Sequence, residues 1–196
     1  MKCYQPLNVP NFEIVSSKVY NFIQTHTDIL QRIDQVGTNT WTILDNESLD
    51  LHVPEINEYL TEQNLTKRFA AIIAVKGNSN LPLHVDTLYQ QRGLRILWPI
   101  KNCDGVATTF YKVDKRYYRR LPPTFLSMKT QEENKLINKN YFHILDGPHE
   151  VLRDLTLSSP VIIDSSIPHA VGKVNSENPR LSLTIKTNED LTNYFN

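Results

Sequence analysis

Arg180-Leu-Ser-Leu-Thr-Ile-Lys186 is the stretch whose reading decides the fold of this 196-residue chain. Arg180, Ser182, Thr184 and Lys186 alternate without a break with Leu181, Leu183 and Ile185. Successive strand residues point to opposite sides, so this pattern makes one wholly polar face and one wholly apolar face. Two arrangements satisfy it. The strand can lie at the surface with its polar side in water. Alternatively, the polar side lines a barrel interior that holds something charged, and helices cover the apolar side from outside.

The sequence on the N-terminal side of this strand reads as further short strands. They are expected near 69–75, 83–86, 94–100, 107–113, 141–145 or 151–157, 161–163, 169–174 and 181–187. The separators KGNSN, KNCDG, LDGP and NSENP are rich in turn-forming residues. About eight short strands over 67–187 predict a double-sheet jelly roll or barrel. Residues 1–66 read differently, with helices expected over 17–33 and 54–65 and a short strand over 38–44. The first helix carries Val19, Phe22, Ile23, Leu30 and Ile33, with Ser16 or Ser17 as its N-cap. The second opens on Pro54 and turns Ile56, Tyr59 and Leu60 inward. The expected fold class is therefore mainly β with N-terminal α-helices (α+β). It forms a single domain over 1–196, with helical support from 1–66 and a β core from 67–187. Residues 114–140 are too long for an ordinary connection and read as a functional insert or lid.

Composition excludes several classes. Lys and Arg number 21 against 21 Asp and Glu, so the chain is not a globally basic nucleic-acid binder or an acidic tail. Cys3 and Cys103 form no zinc-like spacing and read as two free thiols of a reducing compartment. No apolar run approaches the length of a membrane span, and the N-terminus lacks the apolar core of a secretory signal. A cytoplasmic protein without membrane partners is expected. The neutral total hides opposed regions: residues 1–66 hold nine acids against three basic residues, and 112–140 hold eight basic residues against three acids.

Histidine placement bears on the choice between the two arrangements. His84 and Asp86 form an H-x-D on an expected strand, so imidazole and carboxylate share a face and could reach one metal. A hydrogen-bonded surface pair would look the same. His169 follows the apolar run Val161-Ile-Ile163 and a turn, a rigid way to present a ligand. Arg180 comes eleven residues later, at the start of the next strand.

Taken together, His84-x-Asp86, His169 and Arg180-x-Ser182 resemble the Fe(II)- and 2-oxoglutarate-dependent dioxygenases. The resemblance covers about 69–187. The strings HVD, SIPHAV and PRLSLTIK are similar to those of small prolyl- or asparaginyl-hydroxylase-like members. The step from His169 to Arg180 is one residue longer than the commonest family spacing, and the turn NSENP can absorb it. The resemblance implies a double-stranded β-helix (jelly-roll, cupin-like) core, with iron on His84, Asp86 and His169. Two imidazoles and one carboxylate leave three metal positions open, which the resemblance assigns to 2-oxoglutarate and O2. It also implies that Arg180 binds the distal carboxylate of 2-oxoglutarate, for which its planar fork is matched, with Ser182 adding a hydrogen bond. The implied activity is hydroxylation of a substrate C–H bond, with release of succinate and CO2. Asp86 argues against a halogenase, whose family members carry a small residue there.

Other readings stay open. A cupin-like binding module could use the same barrel without oxidation. The stretch KVDKRYYRR at 112–120 could contact a nucleic acid, a nucleotide or another anion, or could be a solvated loop. Meeting the acidic N-terminal layer of a second copy would make a homodimer. Tyr89, Thr109 and Tyr111 are candidate lining residues, and Trp98 reads as core. Arg95 is either a substrate contact or an exposed charge. His143 and His149, near an expected turn, read as surface or capping residues with metal ligation as the lesser alternative, and His26 and His52 as solvated. The substrate itself, whether a protein side chain, a nucleotide or a metabolite, is not legible.

Overall fold

The computed structural model describes residues 1–26, 29, 31, 39–86, 93–120, 142–144 and 147–195. In chain order its strands are β1 (Tyr4–Pro6), β2 (Asn39–Ile43), β3 (Lys67–Val75), β4 (Leu81–Val85), β5 (Leu94–Lys101) and β6 (Thr108–Val113). These are followed by β7 (Tyr118–Arg120), β8 (Phe142–Ile144), β9 (His149–Leu155), β10 (Val161–Asp164), β11 (His169–Val171) and β12 (Arg180–Thr187). They form two six-stranded sheets ordered β1-β10-β5-β12-β3-β2 and β7-β8-β4-β11-β6-β9. All the pairings are antiparallel. From β3 to β6, and again from β9 to β12, successive strands alternate between the two sheets.

Both faces of β12 are buried, which selects the second of the two arrangements. Leu181, Leu183 and Ile185 join a core that includes Ile72, Ile96 and Trp98 of neighbouring strands. Val19, Phe22, Ile23, Leu49, Ile56 and Leu60 of the N-terminal helices cover it. Each such side chain contributes about 1.5–3 kcal/mol on burial, so the apolar face cannot be left in water. The opposite face of the sheet meets the second sheet through Leu97, Ile163, Phe110 and Leu155. Arg180, Ser182 and Thr184 are on that inner side, all almost fully buried. A small cluster of Val75, Val106, Val171 and Val174 closes the end where Arg180 lies.

The helices are α1 (Phe12–Thr25), α2 (Asn46–His52) and α3 (Pro54–Glu62). Helix α1 starts five residues before the expected position, behind Asn11 in a left-handed backbone conformation (φ 54°) with no side-chain cap. Ser16 is not a cap, because it faces the sheet. Its hydroxyl donates to the Pro99 carbonyl (2.6 Å) and accepts from the Trp98 indole N–H (3.0 Å). Leu30 and Ile33 lie outside the described residues. Helix α2, not expected, is capped by the Asp45 carboxylate, which accepts from the Ser48 amide (2.8 Å). Helix α3 opens on Pro54 as expected but stops at Glu62. Asn64 (φ 54°) turns the chain there, and the Leu65 amide bonds back to the Leu60 carbonyl (2.8 Å).

Both alternatives for the fifth core strand exist, as β8 and β9. Strands β1 and β7 were not expected; each is only three residues long and too short to show a period. The expected insert is not irregular throughout. After a 3₁₀ turn at Lys115–Tyr117, β7 pairs with β8; residues 121–140 lie outside the described residues. No helix among the described residues is long and apolar enough to cross a membrane. Cys3 and Cys103 are buried and unpaired, as expected.

Ser16 is a fully engaged polar side chain of α1 that ties the helix to the sheet core. Ser16→Ala leaves the buried Trp98 N–H without its acceptor and is expected to lower stability by about 1–3 kcal/mol. Urea denaturation followed by tryptophan fluorescence measures this loss.

Candidate metal centre

His84 lies near the end of β4, Asp86 just beyond it, and His169 opens β11. Strands β4 and β11 are paired so that His169 is directly opposite His84. The two rings stand 4.3 Å apart between centroids. Asp86 follows His84 by two residues, and its Oδ1 is 3.4 Å from His84 Nε2. One ligand atom from each of the three lies within 4.8 Å of the others. That spacing brackets a point from which a divalent ion could reach all three with modest side-chain adjustment.

The backbone settles which imidazole nitrogen is available. His84 Nδ1 is 2.7 Å from the Pro82 carbonyl, and His169 Nδ1 is 2.8 Å from the Ile167 carbonyl. A carbonyl only accepts, so each Nδ1 carries the proton and each Nε2 keeps its lone pair. The same i to i−2 clamp thus orients both rings, in the manner of supporting groups around metal ligands. Burial pushes the His169 imidazole down, and His84 adds to this; the opposing pull of Asp86 is weaker, and the ring settles at about 4. It is neutral at physiological pH. Burial pushes the Asp86 carboxyl up, but the Arg95 guanidinium leads the opposing interactions, which outweigh it. The group is held well below the usual carboxylate range. Arg95 Nη1 reaches Asp86 Oδ2 at 3.1 Å.

Arg180 occupies the same interior. It is 1% exposed, its Nη2 approaches Thr108 Oγ1 only at 3.4 Å, and no carboxylate among the described residues pairs with it. Arg180 Nε, Ser182 Oγ and Thr184 Oγ1 are all buried without a hydrogen-bond partner. Orphaned buried donors on one face cost free energy unless a ligand engages them. The donor set therefore suits a divalent cation at the triad and a carboxylate at Arg180.

The other candidates fall as follows. Thr109 and Tyr111 are on the outer face of β6. Thr109 donates to Asp154 Oδ1 (2.6 Å), and Tyr111 packs edge-on against His149. The inward residues are Thr108 and Phe110, both buried, so the candidate lining residues Thr109 and Tyr111 face the other way. A set of three apolar inner residues would have marked it, but β6 is TTFYKV and offers only Phe110. Tyr89 lies outside the described residues. Arg95 is a buried partner of Asp86, not an exposed charge. Trp98 is core, as expected.

His149 is exposed, with Nδ1 on the Gly147 carbonyl (3.0 Å), whereas His143 pairs with His84 across the β8–β4 ladder. His26 is not simply solvated: it stacks 4.0 Å from Phe22 and 5.5 Å from His52. Several cations of 112–120 have local partners. Lys112 pairs with Glu150 and Arg116 with Asp114, while Arg119 donates to the Arg116 and Tyr118 carbonyls.

No protein-family model matches the sequence, and no curated protein matches it. Among solved structures, a Pseudomonas putida prolyl-4-hydroxylase is similar in fold. The TM-score is 0.51 at 10% identity, over 95% of this chain and 92% of the other. AviO1 from Streptomyces viridochromogenes aligns at a TM-score of 0.47 and 14% identity, covering 96% and 90% of the two chains. The non-heme alpha-ketoglutarate-dependent carbocyclase SnoK of nogalamycin biosynthesis aligns at 0.47 and 10%, covering 94% and 79%.

The neutral His169 gives the metal-free protein a defined acid response. An unfolded histidine binds its proton below about pH 6.5, whereas the folded ring does so only near 4. Between those values the unfolded chain holds more protons, so stability falls as pH falls through that window. Asp86, with its folded value depressed, adds a further loss below about pH 4. Melting temperatures of chelator-treated protein are expected to drop across pH 6.5 to 4, and His169→Gln flattens that part of the profile.

Proposed function

We propose that the chain is an Fe(II)- and 2-oxoglutarate-dependent oxygenase built on a double-stranded β-helix, hydroxylating a substrate C–H bond. The observation that carries this reading is the placement of Arg180 relative to the triad. Its head lies beside Thr108, which pairs with Val171, while Phe110 pairs with His169. The guanidinium thus sits two strand residues, about 7 Å, along the sheet from the His169 row. A short dicarboxylate bridging triad and guanidinium fits that separation.

In this reading His84 Nε2, Asp86 and His169 Nε2 would hold the iron. The carbonyls of Pro82 and Ile167 keep both rings in the ligating tautomer, and Arg95 keeps Asp86 ionised. Arg180 receives the distal carboxylate of 2-oxoglutarate through its fork, and Ser182 Oγ donates alongside. Phe110, fully buried 5.8 Å from the His169 ring, walls the site against water. When bound, iron and 2-oxoglutarate supply the O2-dependent oxidation: substrate C–H becomes C–OH, and the cosubstrate leaves as succinate and CO2. The similarity in fold to a prolyl-4-hydroxylase agrees with this assignment. A cupin-like binding module would have its inward arginine paired with an internal acid, and among the described residues Arg180 has none.

Anaerobic addition of Fe(II) and then 2-oxoglutarate is expected to produce a weak visible charge-transfer band, with succinate forming in air. His169→Ala and Asp86→Ala abolish the band. No band in the wild type would refute the oxygenase reading.

Arg180→Met separates ligand binding from structure. Replacing a buried unpaired charge with an apolar side chain of similar length is expected to leave the melting temperature of the ligand-free protein unchanged or raised. The same change weakens 2-oxoglutarate binding at least about 30-fold, because it removes a buried charge-paired contact. A structural role for Arg180 would instead lower the melting temperature.

A further inference from the structure

We propose that Arg95 and Lys186 form a second anion subsite, beside Asp86, that takes a carboxylate or phosphate group of the primary substrate. This rests on the oxygenase reading and gives its substrate a chemical class. Arg95 and Leu97 are two apart on β5 and share its inner face, and Leu97 belongs to the core between the sheets. Lys186 shares the inner face of β12 with Ser182 and Thr184. The β12–β5 ladder pairs Thr184 with Leu97 and Ile185 with Ile96, so one further step brings Lys186 alongside Arg95.

These two cations are poorly compensated. Arg95 is buried, spends one nitrogen on Asp86, and has its Nε without a partner. Lys186 is half-buried and has no ion pair or hydrogen bond among the described residues. Burial, and then Arg95 and Arg68 nearby, disfavour its charged form, with Asp86 alone opposing them. Among the described residues Asp86 is the single carboxylate serving both cations, and it is also the carboxylate that would face a divalent ion. With the ion in place, the Asp86 charge is shared with the metal, and the Arg95–Lys186 pair lacks a counter-charge.

The subsite is separate from that of the cosubstrate. Arg180 and Lys186 lie at opposite ends of β12, about 20 Å apart along the strand at the backbone. A cosubstrate whose distal carboxylate is anchored on Arg180 therefore does not bring that carboxylate to the Arg95–Lys186 edge. A guanidinium beside an ammonium recognises carboxylate and phosphate oxygens alike.

The test uses protein loaded with Mn(II) and the unreactive 2-oxoglutarate analogue N-oxalylglycine, titrated separately with inorganic phosphate and acetate. Calorimetry gives affinity, and broadening of the phosphorus NMR signal by Mn(II) reports proximity to the metal. Saturable binding is expected for at least one anion, and the tighter of the two identifies the group carried by the substrate. Lys186→Gln weakens it about tenfold or more, Lys186→Arg retains it, and neither changes N-oxalylglycine affinity. Anion binding that displaces N-oxalylglycine would place the anion at Arg180 and overturn the proposal. So would binding unaffected by Lys186→Gln, or no anion binding by the loaded protein. Failure to bind Mn(II) or N-oxalylglycine at all would instead bring down the oxygenase reading itself.

Discussion

The Arg180 guanidinium is buried between two sheets with no carboxylate among the described residues beside it, and the register of β12 holds it there. A one-residue slip would exchange the two faces of that strand. Arg180 would enter the helix-covered core, and Leu181 would take its place in the polar interior. Such a slip is resisted because β12 is held from both sides, by β3 and β5, and covered by the N-terminal helices. The apolar burial on the outer face thus stabilises an inner face that the protein could not otherwise maintain. Energetically, the helical layer supports the site without touching it.

Within that interior the ligand geometry is set by backbone more than by side-chain packing. Two carbonyls, each two residues before its histidine, fix both imidazoles in the tautomer that exposes Nε2. The cross-strand pair His84–His169 brings the rings together, and Arg95 keeps the carboxylate charged. Among the described residues cations exceed anions on this inner surface: Arg95 and Lys186 lie near Asp86, and Arg180 lies further along the interior without an acid. A low-dielectric interior with that imbalance is suited to receive anions together with a divalent metal.

Much of this was legible beforehand because strand periodicity is local. The alternation at 180–186 and most strand positions follow from neighbouring side chains alone. The H-x-D and the later His could each be put on a strand, though not on neighbouring ones. Three readings failed for physical reasons. The inward face of β6 is not legible because Thr108, Thr109 and Tyr111 carry little polarity contrast. Helix α1 was started late because Ser16 looks like a cap when its bridging role to Trp98 and Pro99 is unknown. Arg95 could not be assigned because its partner, Asp86, reaches it only through the packing of the two sheets.

From the sequence alone it follows that β12 has two faces of opposite polarity and that imidazole and carboxylate ligands were available at strand spacing. Both are properties of residues within a few positions of one another. The tertiary structure decided that the polar face turns inward, that Arg180 finds no acid among the described residues, and that Arg95 and Lys186 stand together. These depend on which strands become neighbours across the sheets, at separations along the chain where local periodicity carries no information.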